Sequence, residues 1–401
     1  MRELLVLTAC LGLVLLYLAV ERLRLDRALR QVPLRIAVTG TRGKSGVTRL
    51  IAAGLRASGA RVMAKTTGSR PVLIFPDGTE REIFRAGPAS LREQVRLVEL
   101  ASSAGAGVLV AETMSIGAEC LAAESGQILR PGILAVTNVR LDHMDEMGRE
   151  KEEVARTLAA AIPRRADIYI AAEEIRPAFE AAAARRGSKI HPIARTDADG
   201  PAADLGLPLG EFEPNRRLAR AVLGSLGVDG GTIERGFAAV VPDAGSLELV
   251  RGAFGEPPRP AVCVSLFAAN EPESSAAALR EVERLEPFAG RPLVGLLSLR
   301  EDRGDRTLQW IRVAGEGFFR GFSSVFLLGP PAKAALRKLR RRPGPGDTVF
   351  ALVEGRSAED VMSRVLSSAP EAPIVVGLGN FVGGGDELVR YWKGRGAAHG
   401  R

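Results

Sequence analysis

An uncharged apolar run from Leu4 to Val20 opens the chain, and a charged stretch, Glu21 to Arg30, follows directly. The apolar run is about 17 residues long, near the lower limit for a helix that crosses a bilayer. The arginine-rich flank then puts the body of the chain in the cytoplasm and the N-terminus outside, by the positive-inside rule. A cleaved signal peptide is the rival reading, and Leu7-Thr-Ala-Cys10 resembles a lipoprotein cleavage box. The apolar stretch before Cys10 is short for that purpose and continues well past it. Residues 1–30 therefore read as a single-pass anchor with a basic flank. Deleting them should release a soluble protein, because the first strand begins only at Leu34.

From Leu34 the pattern becomes short aliphatic runs alternating with helical periodicity. Leu34–Val38 reads as a buried strand. Val47, Leu50, Ile51 and Leu55 recur at helical spacing until Gly59 ends the run. Arg61–Ala64, Val108–Ala111, Ile133–Val136 and Asp167–Ile170 read as further strands, the last after a helix around Val154 to Ala161. Val72–Phe75 and Glu82–Phe84 flank Pro76-Asp-Gly-Thr79, a hairpin signal. Ser90-Leu-Arg-Glu93 reads as a capping box at the head of a helix that runs to about Ser103. Beyond about Val241-Pro-Asp-Ala-Gly245 the composition resets. Ala261–Val264, Leu293–Leu296, Val325–Leu328, Val349–Leu352 and Ile374–Gly377 then repeat the alternation. The pattern predicts an α/β chain in three parts: the anchor, a central domain over 31–243 with a largely parallel sheet, and a Rossmann-like domain over 244–401. The last domain lacks a G-x-G-x-x-G fingerprint, and Gly377–Gly383 alone is a weak glycine match.

Composition narrows the partners. The net charge is +8 with pI ≈ 9.8, which suits an anionic partner: nucleic acid, a membrane surface or a polyanionic substrate. Aromatic residues make up only 5% of the chain, so stacking platforms are scarce and nucleic acid is not expected. Cys10, Cys120 and Cys263 are scattered and form no paired framework, which suggests a reducing compartment for the main body.

The chemistry centres on Val38-Thr-Gly-Thr-Arg-Gly-Lys-Ser-Gly-Val-Thr48, between the first strand and its helix. Glycines let the backbone approach phosphates, and the free N–H groups of a helix start point at them. Lys44 would set its charge on the β- and γ-phosphates of ATP, and Ser45 its hydroxyl on magnesium. Gly40, Thr41, Arg42, Gly43, Lys44, Ser45 and Gly46 are thus the candidate ATP loop. Val38 stands where the usual pattern has its first glycine, and a chance glycine-lysine turn is the bland alternative. Glu112 directly follows one strand and Thr137-Asn138 another, with Asp142-His143 shortly after. In open α/β sheets ligands bind beyond the carboxyl ends of the strands, so these groups converge on one edge.

T-G-T-x-G-K-[ST] after a strand resembles the ATP site of the Mur ligase superfamily, which joins a carboxylate to an amine through an acyl phosphate. Ala111-Glu-Thr-Met114 and Thr137-Asn-Val-Arg-Leu-Asp-His-Met-Asp145 extend the likeness. By that match Glu112 and His143 are metal ligands together with Ser45, and Lys44, Glu112 and His143 are catalytic. No lysine stands where many members carry a carbamylated one, since Lys151 is too close to His143. Glu213–Ala221 resembles the family segment whose asparagine lies near the adenosine, which implies that role for Asn215; helix capping is its plain alternative. Lys65-Thr-Thr-Gly-Ser69, Phe267–Ser275, Leu299-Arg-Glu-Asp-Arg-Gly-Asp-Arg-Thr307 and Gly379–Gly383 are similar to the ligase subunit of poly-γ-glutamate synthases. That resemblance covers essentially the whole chain and includes the N-terminal membrane segment.

It implies an ATP- and magnesium-dependent ligase, with manganese as the alternative metal, that extends poly-γ-glutamate. Lys65, Thr66, Thr67, Asn138, Arg300 and Arg306 would contact the substrate and Arg303 the ATP. Glutamate, the growing polymer, the membrane and either membrane-protein partners of a synthase complex or further copies of the chain are the implied partners. A solvated charge run is the alternative for the arginines, and Arg337–Arg342 reads as a solvated helix face. Two other readings stay open: a membrane-tethered ATPase that couples hydrolysis to export or assembly, and a folate or cell-wall ligase, which predicts no anchor.

Overall fold

The computed structural model describes residues 1–68, 71–85, 87–194, 213–241, 247–267, 269, 271–283, 290–341 and 344–398. Ser69, the 243/244 boundary, Ala268 and Asn270 within Phe267–Ser275, and Arg342 lie outside the described residues. The chain folds as two compact units; the first holds Met1–Arg195 and Pro214–Val240, and the second runs on from Val241.

The first unit begins with helix α1 (Arg2–Gln31) and strand β1 (Leu34–Thr39), followed by α2 (Lys44–Ala57) and β2 (Val62–Thr66). A hairpin of β3 (Val72–Ile74) and β4 (Glu80–Glu82) leads to α3 (Arg92–Ser103) and β5 (Val108–Glu112). Then come α4 (Ala118–Ala123), β6 (Ile133–Val136), α5 (Met144–Met147), α6 (Lys151–Ala159), β7 (Asp167–Ala171), α7 (Pro177–Arg186) and β8 (Lys189–Ile193). Helices α8 (Glu213–Ser225) and α9 (Gly230–Ala238) complete it. The sheet order is β4-β3-β2-β5-β1-β6-β7-β8, parallel from β2 to β8 with the hairpin antiparallel at one edge. The central strands read as unbroken aliphatic runs because helices cover both faces. On one face α2 packs Val47, Leu50 and Ile51 with Leu218 and Val222 of α8. On the other, Leu97 and Val98 of α3 and Val154 and Leu158 of α6 meet Leu25 and Leu29 of α1.

That last contact alters the expected anchor. Residues 4–18 of α1 are exposed along their length, but Leu25, Ala28 and Leu29 lie in the core, as does Val32 just beyond. The Arg35 guanidinium donates to the carbonyls of Leu29 (3.1 Å) and Val32 (2.6 Å), tying the helix end to the first strand. Deletion through Arg30 therefore cuts into the core instead of stopping short of it. The expected capping box at Ser90 is also absent: α3 starts at Arg92, and the Glu93 carboxylate turns inward to Lys65 and Arg85.

The second unit contains β9 (Glu248–Phe254), β10 (Arg259–Ser265), α10 (Pro272–Glu283), β11 (Leu293–Ser298), α11 (Gly304–Glu316), β12 (Phe322–Leu328) and α12 (Ala332–Arg341). It ends with β13 (Val349–Leu352), α13 (Ala358–Ser368), β14 (Ile374–Gly379), α14 (Asp386–Arg395) and β15 (Gly396–Ala398). Its sheet order is β13-β12-β11-β14-β10-β9-β15, parallel from β13 to β10, with β9 antiparallel to both of its neighbours, β10 and β15. Strand β9 escapes a sequence reading because Arg251 and Gly252 interrupt its short aliphatic pattern.

Candidate active site

β1 lies between β5 and β6, so the loop after it emerges at the middle of the first sheet's carboxyl edge. Two of its glycines are required by geometry. Gly40 has φ +126°, and a Cβ there would stand 2.1 Å from Thr137 Oγ1. Gly43 has φ +76°, with the Asn215 side-chain oxygen 2.6 Å from where a Cβ would be. Asn215, buried at the start of α8, is thus packed on the loop itself. Gly46 is buried in the first turn of α2.

Lys44 opens α2 and folds back, its Nζ donating to the carbonyls of Gly40 (2.9 Å) and Thr41 (3.4 Å). Burial pushes its pKa below the ordinary lysine value, and the nearby Glu112 and Asp142 carboxylates pull it part of the way back. Ser45 Oγ donates to Glu112 Oε2 at 2.7 Å. The same oxygen accepts from the Thr67 backbone N–H at 2.7 Å, so the start of α2 and the residue after β2 meet at the carboxylate that ends β5. Glu112 is only 3% exposed.

Asn138 does not face outward as a substrate contact. Its Oδ1 accepts from Thr41 Oγ1 (2.7 Å) and Arg42 N (3.1 Å), and its Nδ2 donates to Arg42 O (3.0 Å). The Thr41 hydroxyl in turn accepts from Arg140 N (3.0 Å). The amide is therefore spent on bracing the phosphate loop. Arg42 pairs with the buried Asp142 at 3.3 Å, and Asp142 lies 3.6 Å from His143 Nε2. His143 sits in the left-handed region, φ 47°, heading α5 with a partly exposed ring.

Lys65 and Thr66 belong to β2 and are fully buried, which corrects their placement in a loop facing substrate. The β2 pleat turns Lys65 toward α3. Its Nζ pairs with Glu93 (3.2 Å) and donates to Gln94 Oε1 (3.3 Å). Desolvation lowers the Lys65 pKa, opposed by the charge and hydrogen bond of Glu93. Thr67 alone of the three is half-buried and touches the site, through its backbone.

Two residues that sequence reasoning missed complete this layer. Gln94 Nε2 donates to the Glu112 carbonyl (3.0 Å) and to Glu124 Oε1 (2.5 Å). Glu124, fully buried in a π-helical turn after α4, also accepts from Met114 N (2.9 Å) and Ser115 N (3.0 Å). It fixes the backbone just beyond Glu112. A glutamate in an amphipathic stretch carries no signal of such burial.

The arginines after β11 lie in the second unit and diverge. Arg300 makes an exposed two-pronged pair with Asp302 (2.8 and 2.6 Å). Arg306 is buried and bonded to Asn380 Oδ1 at 3.3 Å, at the end of β14, instead of facing a polymer. Arg303, half-buried, heads α11.

Ser45 and Glu112 are hard oxygen donors within hydrogen-bond distance of each other at the loop. That is a donor set magnesium accepts when phosphates and waters complete its shell, so the pair fits such an ion. Among the described residues no three His, Cys, Asp or Glu side chains cluster to hold a metal by themselves.

Known proteins resemble this chain in both of its units. The family model described as "Mur ligase middle domain" matches residues 38–199, and that described as "Poly-gamma-glutamate synthase CapB C-terminal domain" matches 253–395. The "Capsule biosynthesis protein CapB" of Bacillus anthracis is 29% identical over 91% of this chain and 77% of its own length. The "PGA synthase CapB" of Bacillus subtilis (strain 168) is 26% identical over 96% of both chains. The E. coli FolC structure in complex with ADP shares the fold at TM-score 0.66 and 19% identity, over 93% of this chain and 92% of that one. Mycobacterium tuberculosis folylpolyglutamate synthase complexed with ADP and AMPPCP does so at 0.65 and 19%, over 92% and 94%. With one family model matching in each half and both relatives aligned along nearly its whole length, the chain is similar throughout to the CapB poly-γ-glutamate synthases and, over residues 38–199, to the Mur ligase middle domain.

Proposed function

We propose that this protein is a membrane-anchored, ADP-forming ligase that adds glutamate to the γ-carboxylate end of a poly-γ-glutamate chain. The observation that carries the reading is the braced loop at the carboxyl edge of the first sheet, with Lys44 and the Ser45–Glu112 pair on it. The α2 N-terminus offers backbone N–H groups to phosphate oxygens, and Lys44 offers a positive charge. Asn138 and Asn215 hold the loop in shape. Ser45, Glu112 and His143 are the proposed ligands of a magnesium or manganese ion. Such an ion, when bound, neutralises charge on the transferring phosphoryl group. Thr67 stands beside Glu112 as the proposed substrate contact of its segment; in the second unit Arg300 is the proposed substrate contact and Arg303 the proposed ATP contact.

In this reading residues 31–243 carry ATP and 244–401 complete the ligase. The exposed apolar half of α1 crosses the membrane once, with the catalytic units cytoplasmic. Its length and hydropathy suit a span. The basic surface suits a polyanionic product. Glutamate, the growing polymer and membrane subunits of a synthase are the proposed partners.

The test is trapping. The chain phosphorylates a carboxylate, and a closed site must shield that mixed anhydride from water. Incubation with ATP, magnesium, a short γ-linked glutamate oligomer and hydroxylamine should yield a terminal γ-hydroxamate. ADP and phosphate should form in equal amounts, without AMP. The Lys44→Ala protein should give neither product. ADP without hydroxamate would instead support a tethered ATPase, and AMP would exclude acyl phosphate chemistry.

A further inference from the structure

A groove of about 460 Å³ runs between α1 and α3 where the apolar run of α1 ends. Its walls change character along its length. Leu13, Leu16 and Val20 line one end, and Arg24, Arg92 and Arg96 the other. The three arginines are exposed. Arg92 and Arg96 are one helical turn apart on α3 and so share a face. Arg92 donates to Tyr17 Oη (2.5 Å) and pairs with Glu21 (3.2 Å). Among the described residues, the side chains of Arg24 and Arg96 make no hydrogen bond or ion pair.

We propose that this groove binds an anionic phospholipid, with its acyl chain along α1 and its phosphate between Arg24 and Arg96. The inference rests on the reading of α1 as a membrane helix. At 1.5 Å per residue, Leu4–Val20 spans about 25 Å, which leaves Val20 at the edge of the hydrocarbon layer. Tyr17 then lies at the interface, where amphipathic rings collect. Arg24, one turn further on, reaches head-group depth. Two carboxylates also line the groove, Glu21 and Glu99. Arg92 answers Glu21, so Arg24 and Arg96 outnumber the remaining Glu99. A guanidinium fork matches the geometry of a phosphodiester. The excess positive charge disfavours the cationic group of a zwitterionic head and selects a lipid with net negative charge. An apolar wall beside unpaired guanidinium groups is a poor seat for another apolar helix, which would leave those charges at its edge unanswered.

The test uses the full chain in a nonionic detergent, with native mass spectrometry after addition of phosphatidylglycerol or phosphatidylcholine. The expected result is a retained lipid adduct that favours phosphatidylglycerol by about tenfold, the scale of surface attraction for one or two arginines. Arg24→Gln with Arg96→Gln should abolish the preference. Arg27→Gln with Arg30→Gln, on the same flank but outside the groove, should keep it. Equal retention of both lipids, or equal loss in the two double variants, would overturn the site in favour of diffuse charge. A dimer that forms in place of the adduct would overturn it in favour of a second copy. Flotation with liposomes separates this from the anchor reading. A protein that floats without head-group preference refutes the lipid site alone, and one that never floats refutes both.

Discussion

Deleting residues 1–30 should destabilise the first unit severely, whereas deleting residues 1–20 should leave it intact. Leu25 and Leu29 are each 5% exposed and pack beneath α3, and Ala28 is 6% exposed. Burying a leucine contributes about 1.5–3 kcal/mol, so the two together account for about 3–6 kcal/mol. Loss of the Leu29 carbonyl that accepts from Arg35 adds about 1 kcal/mol. The total, about 4–7 kcal/mol, is comparable with the whole net stability of a typical domain, about 5–15 kcal/mol. By contrast, Leu4 to Tyr17 lean on almost nothing, with their large apolar side chains at least half exposed. The shorter deletion also keeps the Glu21–Arg92 pair. Urea unfolding of both truncations, followed by far-UV circular dichroism, measures the difference. Tryptophan fluorescence is the wrong probe, because Trp310 and Trp392 both lie in the second unit. Equal unfolding midpoints for the two truncations would refute the packing argument.

Three further outcomes are expected. Asn138→Ala leaves the Thr41 hydroxyl and the Arg42 N–H without their shared acceptor, at a cost of about 1–3 kcal/mol in loop order. It should weaken ADP binding by about tenfold or more in calorimetry, and an unchanged Kd would remove Asn138 from the loop's support. Glu112→Ala and His143→Ala should each reduce metal-dependent turnover, and the double variant should lose less than the sum, because groups that share one ion act as a unit; strict additivity would show that they do not share one. Lys65 has a lowered pKa when folded, so between that value and the ordinary one the unfolded chain binds more protons and stability rises with pH. Relative to Lys65→Met, the wild type should therefore gain stability in urea titrations as pH is raised from neutrality toward the ordinary lysine value, and a gap that stays flat would contradict the desolvation argument.

Much of the architecture was legible in the chain because it is written in local pattern. Aliphatic runs such as Leu109–Ala111 and Ile133–Val136 can be buried on both faces only in a helix-covered parallel sheet. The spacing of Gly40, Gly43, Lys44 and Ser45 needs only a strand before it and a helix after it, and both are encoded within a few residues. What neighbours in space do was beyond that reach. Asn138 looked like a ligand contact because sequence locates it at a strand end but cannot show the Arg42 backbone that consumes its amide. Lys65 looked like a loop cation because register decides which pleat face it takes, and only β2's pairing with β5 turns it toward Glu93 and Gln94. Gln94 and Glu124 left no trace at all, since a polar residue on an amphipathic helix is indistinguishable from a solvated one until another element covers it. The same holds for α1. Its apolar run and charged flank determined a membrane-length helix, but burial of Leu25 and Leu29 depends on α3, some 70 residues away, and was decided only when the two helices packed.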